Sequence, residues 1–370
     1  MGYMDFMHLK PLEYHLQSGT SSKTQARKDA KAHIDAWYES GIPFFTKERI
    51  RGLGRQLKSL PAAGGKFTLE DLNGDIIEGV VPKAEGKLAG FTLSIAYRGA
   101  QQLKLNIDWD QKVGILAFSP LEVFYSRYQV LSGERDPETM VREFKEKRRS
   151  WEASETCQNF KTILSENASG HEISNIVGVA CGSLSRPYNP QTDFQHALLL
   201  TLKDWLKKNG PGKTLSCYVQ DVINTSADKE ILAELEFDMI DDPVGWDMVN
   251  EQSVVVSIAP NVPTEQIIEN IARPAIMIWA AVQANSNMVN RDTSRIRDMV
   301  DEDYDMHRLG DAENFQDAMI YIRKEKVVTA RDSGYLMGSL DILGGFSYSW
   351  GIWKNAISLS ALHSASNIIL

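Results

Sequence analysis

A buried apolar run near the middle of the chain leads into side chains that could attack or bind a substrate. Residues 176–179 are apolar and partly β-branched, and Cys181, Gly182, Ser183 and Ser185 follow them. A glycine after a strand lets the backbone approach a ligand closely. A serine or cysteine in such a loop can attack a carbonyl carbon when a base or a lowered pKa activates it. Ser183 is therefore a candidate catalytic residue, and the alternative is a loop hydroxyl that bonds to backbone.

Two adjacent carboxylates form a second candidate site. Asp241 and Asp242 end a short segment and are followed by Pro243. Such a pair can receive a guanidinium group through charge-assisted, bidentate hydrogen bonds. It can equally form a turn that Pro243 ends, with the aspartates bonding to their own backbone. The residues alone leave both alternatives open.

An alternation of strands and helices would position these side chains. Buried strands are predicted at 176–179, 215–219, 253–258 and 275–279, a last edge strand at 319–323, and helices at 191–208, at 224–237 and from 263. The pattern predicts an α/β fold with a Rossmann-like, mostly parallel sheet and helices on both faces. Ligands of such sheets bind beyond the carboxyl ends of the strands. We therefore expect Ser183, Asp221, Asp242 and Asn261 to converge at one mouth of the sheet.

The sequence predicts three regions along the chain. Residues 1–150 predict a smaller N-terminal α+β unit with antiparallel strands, because Asn73-Gly74 is typical of a tight hairpin and residues 91–97 and 103–109 have a strand-like pattern. Residues 171–325 form the predicted Rossmann-like core. Residues 326–370 are a C-terminal extension that shows no clear periodicity.

Composition narrows the classes of function. The 370 residues carry a net charge of −9, and the three cysteines form no CxxC pair, which favours a reducing, cytoplasmic setting. The start does not resemble a secretory signal, and no apolar run reaches the roughly 18 residues of a membrane span. No phosphate-loop, dinucleotide or zinc-protease motif is present. We therefore expect no cofactor, no metal and no membrane contact.

Two basic clusters could contact nucleic acid. The residues are Lys47, Arg51 and Arg55 on one predicted helix, and Lys145, Arg148 and Arg149 on another. Cations beside an aromatic ring, here Trp151, can bind nucleic acid by charge and stacking. The alternative is a solvated helical face whose charges suit the helix dipole. The acidic total argues against extensive coating of nucleic acid, and no DNA partner is expected.

A resemblance to a known family connects several of these stretches. Residues 176–185 (IVGVACGSLS), 195–199 (QHALL), 218–221 (YVQD) and 257–261 (SIAPN) together resemble the sensitivity-to-red-light-reduced family, or SRR-like domain, over about residues 170 to 325. Residues 43–47 (PFFTK) resemble its fungal members. The resemblance implies substrate-binding roles for Gly182, Ser185, Gln195, Asp221 and Asn261. The sequence departs from the family at Val222, where a proline is common.

The resemblance and the residues together leave three functions open. Fungal chains of this kind are similar to arginine-containing cyclodipeptide synthases, which use aminoacyl-tRNAs and carry a DDxxE motif. Asp241 and Asp242 match its acids, whereas Gly245 stands at the place of the glutamate. This reading predicts a synthase with Ser183, Asp241 and Asp242 as catalytic residues, and with arginyl-tRNA and a second aminoacyl-tRNA as partners of the basic clusters. The alternative is a non-catalytic regulatory or ligand-binding protein, and a transferase that uses a nucleotide-like cofactor is a third reading.

Overall fold

The computed structural model of the chain describes residues 4–8, 23–60, 65–81, 92–109, 118–128, 136–185, 190–210, 214–258, 260–282 and 293–325. The residues up to Glu325 belong to one compact unit. The predicted C-terminal extension, 326–370, lies outside the described residues.

The described residues form strands and helices in the following order. The strands are β1 Met4–His8, β2 Lys66–Glu70, β3 Ile76–Val80, β4 Thr92–Tyr97, β5 Leu121–Tyr128, β6 Asn175–Val179, β7 Ser216–Gln220, β8 Asp238–Met239, β9 Ser253–Ser257, β10 Ile276–Ala280, β11 Tyr304–Arg308 and β12 Ala318–Arg323. The helices are α1 Lys23–Glu39, α2 Lys47–Ser59, α3 Ala100–Trp109, α4 Pro137–Ala153, α5 Glu155–Asn167, α6 Pro190–Asn209, α7 Ser226–Glu234, α8 Val244–Met248, α9 Thr264–Ile271, α10 Ser294–Asp303 and α11 Ala312–Phe315.

A seven-stranded sheet in the order β11-β12-β10-β9-β6-β7-β8 forms the centre of the fold. The strands β10, β9, β6, β7 and β8 run parallel to one another. β12 runs antiparallel between β10 and β11. The predicted α/β fold with a mostly parallel, Rossmann-like sheet is therefore confirmed. The prediction that residues 319–323 form the edge was wrong, because β11 pairs along the outer side of β12.

Both faces of the sheet are covered, which explains why its central strands β6, β9 and β10 are buried along their whole length. Successive side chains of a strand point to opposite faces. Ile176 of β6 and Val254 of β9 enter one core cluster with helices α4 to α7. Val177 and Val255 enter the other cluster with α1, α2, α3 and α9. Loops and polar side chains are consequently left to the ends of the strands.

The N-terminal residues supply smaller antiparallel sheets, one ordered β1-β5-β4 and one made of β2 and β3. The hairpin predicted at Asn73-Gly74 is confirmed, and Gly74 has the positive φ of 83° that such a turn requires. The strand predicted for residues 103–109 was wrong, because this segment belongs to α3. Leu103 and Ile107 are four residues apart and both are buried on one side of that helix. Their spacing suits a helix as well as a strand.

Within the part of the chain that the structure describes, no helix is long and apolar enough to cross a membrane.

Trp151 tests the packing of the first core cluster. Its ring is fully buried, its Nε1 donates a 2.9 Å hydrogen bond to Thr201 Oγ1, and its centroid lies 5.1 Å from that of Phe315. We expect Trp151→Ala to lower the free energy of unfolding by about 3–5 kcal/mol, because it leaves a cavity and removes the hydrogen bond to Thr201 Oγ1. Urea denaturation measures the change, with the partly exposed Trp205→Ala as control. Equal losses in the two variants would contradict this account of the core.

Candidate functional site

The carboxyl ends of β6, β7 and β8 carry the loops that hold most of the predicted site residues. Gly182 and Ser183 follow β6, Asp221 follows β7, and Asp241 and Asp242 follow β8. Because these three strands are adjacent and parallel, their carboxyl ends lie at one edge of the sheet. The loops form separate polar clusters there.

The loop after β6 is fixed by hydrogen bonds to its backbone. Gly182 has a φ of 83°, and a Cβ atom at this position would lie 2.4 Å from Thr192 Oγ1. The Gly182 N–H donates to Asp221 Oδ2 at 2.8 Å, and His196 Nε2 lies 3.0 Å from the Gly182 carbonyl oxygen. Asp221 Oδ1 also accepts the Ile223 N–H at 3.1 Å. Gly182 and Asp221, which were both predicted to bind substrate, thus bind one another.

Ser183 and Ser185 form a buried cluster with Asp228. The Ser183 hydroxyl donates to Asp228 Oδ2 at 2.7 Å and lies 3.0 Å from Ser185 Oγ. Asp228 also accepts the backbone N–H groups of Ser185 at 2.8 Å and of Thr225 at 2.7 Å. The cluster ties the loop after β6 to the start of α7. Ser183, with 6% of its surface exposed, therefore has the surroundings of a structural hydroxyl.

Asp228 is the residue of this cluster that the sequence analysis did not identify. It lies three residues after Thr225, and each of these residues bonds the other's backbone N–H, which makes a capping box at the start of α7. The pattern of a threonine followed three residues later by an acid is a recognisable signal for a helix start. Nothing in that local pattern reveals that the same carboxylate also binds Ser183 and Ser185.

Cys181 and His196 are buried beside the same loop. Burial, with a smaller contribution from the charge of Asp221, raises the pKa of the Cys181 thiol far above its ordinary value. Burial lowers the pKa of His196, which the bond to the Gly182 carbonyl and the charge of Asp228 only partly offset. A thiol with so high a pKa is a poor nucleophile at neutral pH. The loop therefore contains no activated cysteine.

Asp242 lies in a second cluster, surrounded by aromatic and amide side chains. Its Oδ1 accepts hydrogen bonds from the Tyr97 hydroxyl at 2.8 Å and from Gln220 Nε2 at 3.0 Å. The rings of Tyr97 and Trp246 meet edge to face at 5.8 Å. Burial, with a smaller contribution from the charge of Asp221, raises the pKa of Asp242 from its ordinary 3.8 to about 7, although the bond from Tyr97 opposes the shift. Among the described residues, no basic side chain pairs with Asp242.

Asp241 and Asp242 point to different surroundings, although they are neighbours in the chain. Asp241 is exposed, and its carboxylate lies 3.8 Å from the ammonium of Lys58 on α2. An exposed ion pair of this kind contributes little to stability. The two acids therefore do not form a joint carboxylate pair, and only Asp242 faces the polar cluster.

Gln220 occupies the space beside Gly245. Gln220 Oε1 accepts the Gly245 N–H at 2.6 Å, and a Cβ atom on Gly245 would lie 2.7 Å from that oxygen. A glutamate at position 245, as in the DDxxE motif, would therefore displace Gln220. On the other side of the loop, Pro243 packs where a Cβ atom of Gly54 on α2 would stand, at 2.6 Å. The loop that carries Asp242 is thus held between β7 and α2.

Gln195 and Asn261, which were predicted to bind substrate, lie towards β9. Gln195 is 6% exposed, its Nε2 lies 3.5 Å from the Ile258 carbonyl oxygen, and its Oε1 has no hydrogen-bond partner among the described residues. Asn261 is exposed. Of the four residues expected to converge, Asp221 and Asp242 are close enough for their charges to interact. Ser183 is bound to Asp228 instead, and no described contact joins Asn261 to the other three.

The first predicted tRNA-binding cluster lies on α2. Lys47 Nζ bonds to the Val249 carbonyl oxygen, and Arg51 Nε bonds to Asp247 Oδ2 at 3.0 Å. Burial lowers the pKa of Lys47. Arg55 is exposed. Two of the three cations, Lys47 and Arg51, therefore already form hydrogen bonds within the chain.

The second predicted tRNA-binding cluster lies on α4. Arg148 bonds to Glu152 at 2.6 Å and to Asp204 at 3.2 Å. The exposed side chains of Lys145 and Arg149 line an open groove of about 580 Å³. Since α4 packs in the first core cluster and α2 in the second, the two basic clusters lie on opposite faces of the sheet.

A family model matches the part of the chain that builds the sheet and its strand-end loops. Residues 148–326 match the SRR1 domain. The resemblance to the SRR-like family is thereby confirmed for this segment, which contains Ser183, Asp221 and Asp242. The SRR1 domain begins within α4 and ends just after β12. Tyr97 and the whole of α2 lie outside it.

The solved structures to which this chain is similar include methyltransferases. One is described as a caffeoyl-CoA O-methyltransferase from Staphylococcus aureus, with 13% identity and a TM-score of 0.29, and the match covers 51% of this chain and 93% of that one. Another is an S-adenosyl-L-methionine methyl transferase from Silicibacter pomeroyi DSS-3, with 11% identity and a TM-score of 0.24, covering 49% of this chain and 96% of that one. Scores this low carry no argument about function. A comparison with curated proteins found no match.

Asp228→Ala tests the serine cluster. The change removes the acceptor for two backbone N–H groups and the Ser183 hydroxyl. We expect it to lower the free energy of unfolding by roughly 2–5 kcal/mol, because buried donors are left unpaired. Urea denaturation measures this, and Glu230→Ala, exposed on the same helix, is the control, with a change of about 0.5 kcal/mol or less. A similarly small effect of Asp228→Ala would show that the cluster does not hold the loop.

Asp242→Asn tests the raised pKa of that carboxyl. The folded chain binds this proton up to about pH 7, whereas the ordinary pKa of 3.8 applies when the chain is unfolded. Between these values the native state binds more protons, so the contribution of Asp242 to stability falls as the pH rises. We expect the wild type to lose stability relative to Asp242→Asn across this window, by a few kcal/mol as an order of magnitude. Urea denaturation of both proteins at about pH 4 and about pH 8 measures the difference, and a constant difference would contradict the raised pKa.

Proposed function

We propose that this chain is an arginine-containing cyclodipeptide synthase that uses aminoacyl-tRNAs, and that Asp242 binds the guanidinium group of arginine. The observation that carries the proposal is the half-buried Asp242 carboxyl, which has a second carboxyl, Asp221, nearby and no cationic partner among the described residues. Burying a carboxylate without a counter-charge is costly, so such a group is suited to a cationic ligand.

The surroundings of Asp242 favour a guanidinium over other cations. A bound guanidinium would lower the pKa of Asp242 by attraction and would also offset its repulsion from Asp221. The planar guanidinium donates in a fixed fork that matches a carboxylate. The buried rings of Tyr97 and Trp246 pack beside the carboxyl, and aromatic rings attract a cation that reaches their faces.

The position of α2 supports a substrate that carries a cation at one end and a polyanion at the other. Pro243, directly after Asp242, packs against Gly54 of α2, and Lys58 of the same helix pairs with Asp241. Arg55 is exposed on this helix. In the proposal the arginyl group enters the acidic cluster while the phosphates of its tRNA contact the exposed cations of α2.

The proposed reaction needs no cofactor, because the ester bond of an aminoacyl-tRNA is already activated. The free amine of one aminoacyl group attacks the ester carbonyl of the other, an amide bond forms, and the first tRNA leaves with a proton on its terminal hydroxyl. The amine of the resulting dipeptidyl-tRNA then attacks its own ester carbonyl, which closes the ring and releases the second tRNA. The protein mainly has to position the amine and stabilise an oxyanion.

Ligand binding without a reaction is the second candidate. Its support comes from the loop after β6, where Ser183 is bound to Asp228 and burial raises the pKa of Cys181. A chain of this second kind would still bind arginine derivatives at Asp242. Binding measured by calorimetry without any product would favour it.

Mass spectrometry of reactions with charged tRNAs tests the proposed synthase. The purified chain is incubated with arginyl-tRNA and each other aminoacyl-tRNA, and we expect a cyclic dipeptide that contains arginine. Asp242→Asn removes the charge that binds the guanidinium and should reduce product formation roughly tenfold or more.

The adjacent Asp241→Asn is the matched control, because it removes an exposed charge outside the cluster. It should leave product formation within about twofold of the wild type. The absence of product with every pair of tRNAs would exclude the synthase. Unchanged product from Asp242→Asn would exclude the role of Asp242.

A further inference from the structure

β11 forms one edge of the seven-stranded sheet, and no described strand pairs with its outer side. Met306, at the centre of β11, is 49% exposed. Edge strands offer unpaired N–H and C=O groups to another chain unless charges, prolines or covering elements block them. β11 contains no proline and extends over five residues.

Hydrogen bonds at its two ends show which backbone groups of β11 face outward. Leu309 donates to the carbonyl oxygen of Ala318, and Lys324 donates to that of Asp303. In an antiparallel pair, hydrogen-bonded residues alternate along the strand. The backbone groups at 305 and 307 are therefore turned towards β12. Those at 304, 306 and 308 are turned away from the sheet.

The start of β11 carries negative charges and its end carries a positive charge. Asp301, Glu302 and Asp305 lie at or before its start and are exposed, whereas Arg308 is exposed at its end. A strand with acidic and basic ends complements a copy of itself in the antiparallel direction. The acidic end of one copy then meets the basic end of the other, an arrangement with two-fold symmetry.

Charge and overlap together select one register for such a pair. The outward backbone groups allow a two-fold axis that passes between the two copies of residue 304, 305, 306, 307 or 308. An axis at 305 places two Asp305 carboxylates opposite each other, and an axis at 308 does the same for two Arg308 side chains. An axis at Met306 avoids both, pairs Asp305 with His307 of the second copy, and aligns all five residues of β11.

We propose that the outer edge of β11 binds the same edge of a second copy of this chain, with Met306 opposite Met306. The two central seven-stranded sheets then form one continuous sheet across the dimer. The exposed Met306 side chains become cross-strand neighbours at the axis. This interface is independent of the function proposed for Asp242.

Disulfide trapping tests the interface and its register in the full chain. Residues at a hydrogen-bonded position of an antiparallel pair have Cα atoms about 5.5 Å apart, a distance that suits a disulfide. We expect Met306→Cys to form a covalent dimer under mild oxidation. Asp305→Cys is the matched control, since its Cα atoms would be about 8 Å apart, too far for a disulfide. We expect few disulfides from the native cysteines, because all three are buried.

Sedimentation velocity at micromolar concentrations provides the second measurement. We expect the wild type to be dimeric, and Met306→Pro to raise the dissociation constant roughly tenfold or more, because it removes the outward N–H at the axis. Since that N–H does not pair with β12, circular dichroism should remain unchanged. Met306→Leu keeps the N–H and should remain dimeric.

Three results would overturn the proposal. One is a wild type that is monomeric at every concentration, as expected if another segment occupies the edge. Another is a dimer that Met306→Pro does not weaken. The third is trapping at residue 305 but not at 306.

Discussion

The burial of the parallel sheet on both faces is the constraint on which the rest of this structure depends. Because β6, β9 and β10 have apolar side chains on either face, their polar neighbours can lie only beyond the strand ends. Parallel strands bring those ends together at one edge. The polar clusters of this protein lie at the strand ends because the apolar faces of the sheet leave no place for them elsewhere along these strands.

The strand-end loops serve two physical purposes. Ser183, Ser185 and Asp228 satisfy one another's hydrogen bonds and fix the loop after β6 to α7. Asp242 is different, because Tyr97 and Gln220 donate to it but no described cation balances its charge. A satisfied polar network rigidifies a fold, whereas an uncompensated carboxyl is available for a ligand. This contrast is why the proposed function rests on Asp242 and not on Ser183.

The N-terminal residues complete the site that the SRR1 domain begins. Tyr97, which donates to Asp242, and Gly54, which admits Pro243, both precede the matched segment of residues 148–326. Tyr97 and Leu53, the residue before Gly54, also enter the core cluster that covers one face of the sheet, together with Val177 and Trp279. The surroundings of Asp242 therefore depend on residues outside the domain, and chains that share only the SRR1 domain need not share these surroundings.

Periodicity and turn residues determined the α/β class, the parallel strands and the hairpin at Asn73-Gly74, because these follow from local preferences and from burial on two faces. The same reasoning placed Asp221 and Asp242 at the strand ends. Residues 103–109 were predicted as a strand but belong to α3. The apolar spacing of Leu103 and Ile107 suits either structure. Only the tertiary structure decided that Asp241 and Asp242 diverge, that Asp228 binds Ser183, and that Tyr97 reaches Asp242 from 145 residues away. Those contacts join segments distant in the chain, and their cause is packing, which no local pattern records.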